Sequence, residues 1–265
     1  MNKNELDKNH DLLNWEKEYE RNYPVEKFQE INNHWWLDCY NQIEHFILKN
    51  VPLNKNSEIL ECGCGSGNSS LRLAHKVEKV VLFDISINAL ECAKQLANYY
   101  NVNNVEFIKG DVFHIPFDEK QFDFCWNIGL IEHYNLIQAK EILKEMVRVT
   151  KHGGYICIGV PNFASLPILK ARLLSFKPLK PLTFWVKGYR LTTEKKYNKK
   201  IIDRLLHAVS KEDGIKLTKI TFGYVGSILP VETPEFIFRK INKFSTRFFN
   251  KFSFLILVIA QINHS

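Results

Sequence analysis

The chain lacks a Cys-x-x-Cys pair, any apolar run near the roughly 20 residues that a membrane-crossing helix needs, and an apolar h-region behind its opening Met1-Asn-Lys-Asn-Glu. The longest apolar stretch, Phe254 to Ala260, suits a buried strand instead. No secretory leader and a cytoplasmic location are therefore the expectations. Cys39, Cys62, Cys64, Cys92, Cys125 and Cys157 are scattered, which argues against a disulfide framework in a chain of this length. Cys62 and Cys64 flank a glycine without zinc spacing and read as small residues filling a tight loop. Internal repeats and low-complexity linkers are absent too. With 265 residues, 45% of them hydrophobic and 13% aromatic, the chain can bury a sizeable core, so disorder is excluded and one large domain is expected.

Acidic residues are scarce in one part only. Residues 1–164 hold 17 Lys and Arg against 23 Asp and Glu, whereas residues 165–265 hold 19 against 6, so the net charge of +7 comes from the last third.

From residue 51 onward short apolar runs alternate with longer amphipathic ones, the pattern of βα units around a mostly parallel sheet. The spacing predicts strands at Glu58–Cys62, Lys79–Asp84, Val105–Lys109, Phe122–Asn127 and Tyr155–Val160, with helices near Asn68–His75, Ser86–Tyr100 and Leu136–Thr150. Lys151-His-Gly-Gly154 reads as a turn into the fifth strand. A helix at Asn198–Val209, a strand at Lys216–Gly226, a helix at Glu232–Asn250 and a buried strand at Phe252–Ile262 follow. Residues 161–200 are Pro-punctuated, basic and too long for an ordinary connection, hence an insertion of functional interest. Before residue 51, apolar residues at helical spacing predict two helices broken at Tyr23-Pro24, forming an extension or lid over residues 1–50 ahead of a main domain at 51–265.

Ile59-Leu-Glu-Cys-Gly-Cys-Gly-Ser-Gly-Asn-Ser-Ser70 places three alternate glycines after an apolar run, where backbone can turn tightly and approach a ligand. A dinucleotide-binding Gly-x-Gly-x-x-Gly counted from Gly63 needs a third glycine at position 68, which is Asn68. By itself the turn is open to a nucleotide-type cofactor, a nicotinamide site or an incidental loop. Asp84 ends the second strand, where a carboxylate can accept from both ribose hydroxyls of an adenosine or cap the next helix. Asp111, in Lys-Gly-Asp-Val-Phe-His-Ile-Pro-Phe, ends the third; it can accept from an adenine amine, with Val112 and Ile115 against the ring.

The Glu61-x-Gly63-x-Gly65-x-Gly67 turn resembles motif I of the class I S-adenosylmethionine (SAM)-dependent methyltransferases. Gln121-Phe-Asp-Phe-Cys-Trp-Asn-Ile-Gly-Leu-Ile-Glu-His-Tyr134 and Glu145-Met-Val-Arg-Val-Thr-Lys-His-Gly-Gly-Tyr-Ile-Cys-Ile-Gly-Val-Pro-Asn162 resemble the corresponding stretches of the type-11 small-molecule methyltransferases. The resemblance implies a Rossmann-like α/β fold with a seven-stranded sheet in the order 3-2-1-4-5-7-6, the last strand antiparallel, flanked by helices. It implies SAM as cofactor, with Glu61, Gly63, Gly65 and Gly67 at the methionine end, Asp84 at the ribose with Ile85 beside it, and Asp111 and Val112 at the adenine. Asn127 would present its backbone carbonyl to the methionine ammonium.

Methyl transfer from a sulfonium is an in-line displacement in which holding acceptor and methyl together contributes up to roughly 7–11 kcal/mol in favourable cases. A protonated oxygen or nitrogen acceptor benefits from a base, and His133, following the fourth strand, is the candidate catalytic residue, with a loop-orienting role as its alternative. Some quinone-ring relatives carry Glu-x-x-Glu-His and a divalent cation here; Gly129 stands at the first position, so no metal is expected. Trp15, Tyr19, Trp35, Glu194 and Tyr197 are candidate substrate contacts. The expected partner is a small-molecule acceptor bearing anionic groups, a sugar or lipid-linked intermediate. Nucleic acid is not expected, because the Asn/Asp-Pro-Pro-aromatic motif and the Pro-Cys nucleophile of DNA methyltransferases are missing. Residues 236–252 interleave phenylalanines with Arg and Lys, which as a helix suits a peripheral membrane contact as well as ordinary packing. A catalytically silent SAM-binding regulator and a nicotinamide oxidoreductase are the rival functions.

Overall fold

The computed structural model describes residues 15–17, 19, 33–175 and 193–264. The predicted break at Tyr23-Pro24 and the middle of the 161–200 insertion lie outside them. Helix α1 (His34–Asn50) begins where the Asn33 side chain accepts from the Trp35 and Trp36 N–H groups, and it buries Trp35, Cys39, Ile43 and Ile47 at helical spacing. Strand β1 (Glu58–Cys62) leads through the glycine turn into α2 (Asn68–Leu73); β2 (Lys79–Asp84) leads into α3 (Ile87–Tyr99), capped by the Ser86 hydroxyl. Then come β3 (Val105–Lys109), β4 (Phe122–Ile128), α4 (Leu136–Val149) and β5 (Thr150–Pro161). The chain continues through α5 (Leu166–Ser175), α6 (Lys199–Glu212), β6 (Lys216–Val225), α7 (Glu235–Phe249) and β7 (Leu255–Asn263).

These strands form one seven-stranded sheet in the order β3-β2-β1-β4-β5-β7-β6. β1 to β5 pair in parallel and β7 runs antiparallel to both neighbours, as the resemblance implies. Apolar clusters cover both sheet faces, one built on α1, α2 and α3, the other on α4 and α6. The carboxyl ends of β1, β2, β3 and β4 therefore open along one rim, the usual ligand position in such sheets.

Two elements differ from the sequence reading. The predicted glycine turn at 151–154 is instead the start of β5, because Thr150 pairs with Phe122 and Gly153 O takes a hydrogen bond from Gln261 Nε2 at 2.9 Å. The insertion is not irregular throughout: Ser165 accepts from Ile168 and Leu169, and Pro167 sits in the first turn of α5, where its missing N–H is not needed.

Candidate active site

The tip of β1 turns sharply because the Gly63 and Cys64 N–H groups both donate to Phe83 O, at 2.8 and 3.1 Å, on neighbouring β2. Gly65 and Gly67 have φ of 53° and 65°, a left-handed conformation that side chains strain to adopt. A Cβ at Gly65 would collide with the Tyr19 hydroxyl, and one at Gly67 with Leu82. The left-handed conformation at both positions therefore favours glycine.

Asp84 ties that turn to the second strand. Its carboxylate accepts from Gly65 N–H and Ser86 N–H, each at 2.9 Å, and burial nevertheless holds its pKa above the ordinary value. Further lone pairs remain for ribose hydroxyls. Ile85, Asp111 and Val112 line the same cleft; Asp111 accepts from Phe113 N–H at 3.0 Å. Ile115 does not reach it: it is buried in the core, and its N–H donates to Glu145. Arg148 in turn donates to Glu145, Ile115 O and Phe117 O, so the Glu145-x-x-Arg148 pair straps down the loop that follows β3.

The cleft encloses about 170 Å³ and is completed by Gly63, Cys64 and Ser66 on one side and Ile128 to Leu130, His133 and Tyr134 on the other. Trp15 and Tyr19 close its mouth. They are held by Glu16, whose carboxylate takes the Ser86 hydroxyl and the Ile87 and Asn88 N–H groups at 2.9 to 3.0 Å at the amino end of α3.

Among the described residues, three buried oxygens beside the cleft have no hydrogen-bond partner: Glu61 Oε2 on β1, Asn127 Oδ1 on β4 and Glu132 Oε2 in the turn after β4. Such orphans are rare enough to mark function or an absent ligand. Burial pushes the Glu61 carboxyl up to about 8 despite hydrogen bonds from Ser70, and the Glu132 carboxyl up to about 8 with nearby Glu194 adding to the effect. The Asn127 side chain points away toward α4 and donates to Met146 Sδ at 3.1 Å.

His133 lines the cleft, its Nδ1 lying 2.6 Å from Thr193 Oγ1 and its ring 5.0 Å from that of Trp15, edge to face. Residues 193–197 are bound to this turn: Lys195 N–H donates to Glu132 O at 2.7 Å, and the Tyr197 hydroxyl donates to Tyr134 O at 3.3 Å. Tyr197 is buried. Trp35, by contrast, is a packing residue: fully buried, it donates from Nε1 to Leu229 O at 2.7 Å and meets Trp36 and Phe254 edge to face. Glu61 and Gly67 stand behind the cleft rather than on its surface, whereas Leu130 and Tyr134 line it although neither is among the expected contacts. Among the described residues, no three His, Cys, Asp or Glu side chains gather as metal ligands. All six thiols are free and buried.

Residues 59–154 match the family described as "Methyltransferase domain". A demethylmenaquinone methyltransferase of Bacillus cereus is 30% identical over 147 residues, 53% of this chain and 61% of the relative, so the match spans about three fifths of the length of such relatives. Among solved structures, a SAM-dependent methyltransferase from Aquifex aeolicus aligns with a TM-score of 0.57 at 18% identity, covering 90% of this chain and 98% of that one. Phosphoethanolamine N-methyltransferase 1 of Haemonchus contortus, in complex with phosphoethanolamine and S-adenosylhomocysteine, aligns with a TM-score of 0.62 at 16% identity, covering 95% of this chain and 48% of that one. Both share the fold.

Proposed function

We propose, from the match of residues 59–154 to a methyltransferase domain together with the seven-stranded sheet and its cleft, that the chain transfers a methyl group from SAM to an oxygen or nitrogen of a small molecule. The carrying observation is the fit of the cleft to the donor. Gly63 and Gly65 turn the backbone in a left-handed conformation at the end of β1, Asp84 and Asp111 stand at two successive strand tips, and Glu61 keeps an orphaned oxygen behind the turn. Bound there, SAM supplies a methyl already activated by its sulfonium. The remaining contribution of the chain is to orient the acceptor, exclude water and take up a proton.

For that proton two groups are adjacent. His133 faces the cleft and is oriented by Thr193; Glu132 is buried beside it with one oxygen unpartnered. Trp15 and Tyr19 over the turn, with Glu194 and Tyr197 from the strap beside Glu132, are proposed to bound the acceptor. A lipid-linked acceptor is the finer reading, supported by the curated relatives named for demethylmenaquinone; the sugar reading has no such support.

Incubation with methyl-labelled SAM and a panel of hydroxyl and amine acceptors, demethylmenaquinone included, tests the proposal. Label should pass to at least one acceptor, and His133→Ala should lower the turnover number. Tight SAM binding with no transfer to any acceptor would contradict the proposal and favour a SAM-binding regulatory protein. An unchanged turnover number in His133→Ala would remove His133 as base and leave Glu132.

A further inference from the structure

Helices α5 and α7 join the sheet at the rim where the cleft opens. α5 follows the end of β5, and α7 runs through a short 3-10 turn, Asn250–Phe252, into the start of β7, where Leu255 pairs with Pro161. The two are fastened together: Asn162 Nδ2 donates to Lys251 O and Ser253 O at 2.9 and 2.8 Å, and Lys170 on α5 is ion-paired with Glu232 ahead of α7. Each helix buries one stripe, Ile168, Ala171 and Leu174 on α5 and Phe238 and Asn242 on α7.

Each also leaves large apolar side chains in water. On α5, Leu166, Leu169 and Leu173 recur at i, i+3 and i+7 and are 49%, 44% and 57% exposed. On α7 and its 3-10 turn, Phe236, Ile241, Phe248 and Phe252 are 67%, 44%, 61% and 47% exposed. Isolated exposed leucines are ordinary, but such a concentration on two fastened helices marks an interaction surface. Lys240 and Lys251 are exposed among them, as is Arg239, which is ion-paired with Glu235, and the segment belongs to the part of the chain with 19 Lys and Arg against 6 Asp and Glu.

We infer that α5 and α7 dock this chain on the surface of an anionic lipid bilayer, phenylalanines and leucines entering the headgroup boundary while the cations face the lipid phosphates. Apolar side chains flanked by Lys and Arg are the composition of interfacial helices, and anionic lipid supplies the complementary charge. No helix among the described residues is long and apolar enough to cross a membrane, so the contact is peripheral. Because both helices stem from the rim that bears the cleft, docking brings that rim to the bilayer. The inference stands on surface composition and does not depend on the reaction proposed above.

Flotation of the full chain with vesicles of equal parts phosphatidylglycerol and phosphatidylcholine, against phosphatidylcholine alone, tests it. The chain should float with the anionic vesicles and be released by raised salt. The paired variants Phe248→Asp with Ile241→Asp, and Leu169→Asp with Leu173→Asp, should each lower binding by roughly tenfold or more while leaving circular dichroism unchanged. Absence of flotation, or equal flotation with neutral vesicles, would overturn the inference. So would sedimentation showing a dimer that the same variants dissociate without flotation by the native chain, which would assign the face to a second copy.

Discussion

Glu61 and Glu132 are carboxyls that the fold keeps from water, and their behaviour with pH follows from that. The folded values of about 8 lie above the ordinary 4.5, so the native state holds protons that the unfolded chain has released between those values. Stability is greatest below about pH 4.5 as far as these two groups are concerned, and it falls as the pH rises through about 8. Thermal unfolding of the unliganded chain should show that decline, and Glu132→Gln should flatten it; a variant as steep as the native chain would show that Glu132 is ionised throughout. At the same scale, the glycine turn after β1 and the aspartate at the end of β2 could be located from the sequence because a tight turn and a strand end leave a local pattern. Glu132 was legible only as half of an incomplete metal motif, since its isolation depends on residues 193–197 folding over it. Trp35 misled because an aromatic at helical spacing looks the same whether it faces a ligand or the core, and here the Leu229 carbonyl takes its N–H.

At the level of elements, the segment bearing Trp15 and Tyr19 is coupled to α3 through Glu16, whose carboxylate and backbone carbonyl both accept hydrogen bonds from the amino end of that helix. Glu16 satisfies the Ile87 and Asn88 N–H groups at the amino end of α3, a role that a capping carboxylate fills for about 0.5–2 kcal/mol. Glu16→Ala should therefore lower stability within that range, and hydrogen exchange at Ile87 and Asn88 should quicken. Unchanged protection at those amides would show that Glu16 does not hold the segment. Sequence gave no sign of this coupling, because a helix cap borrowed from about 70 residues away leaves no local pattern. The strand bounds of β1, β2 and β3 were readable from apolar runs alone. β5 was not, because its first residues are recruited by Phe122 and Gln261 rather than by their own propensity.

For the whole molecule, the sheet order places the tips of β1, β2 and β3 next to one another, while the turn after β4, with residues 193–197 bound to it, lines the other side of the same cleft. The tips of β1, β2 and β3 follow contiguous motifs and can be read along the chain; the attachment of residues 193–197 to the turn after β4 joins distant segments and leaves no local pattern. The cleft at β1 is proposed to hold SAM rather than a nicotinamide dinucleotide. Titration calorimetry of the chain with SAM and with NAD decides it most directly. SAM should bind at one site, Gly65→Ala should weaken that binding through the strained turn and the collision with Tyr19, and NAD should give no saturable heat. Saturable binding of NAD with none of SAM would contradict the account.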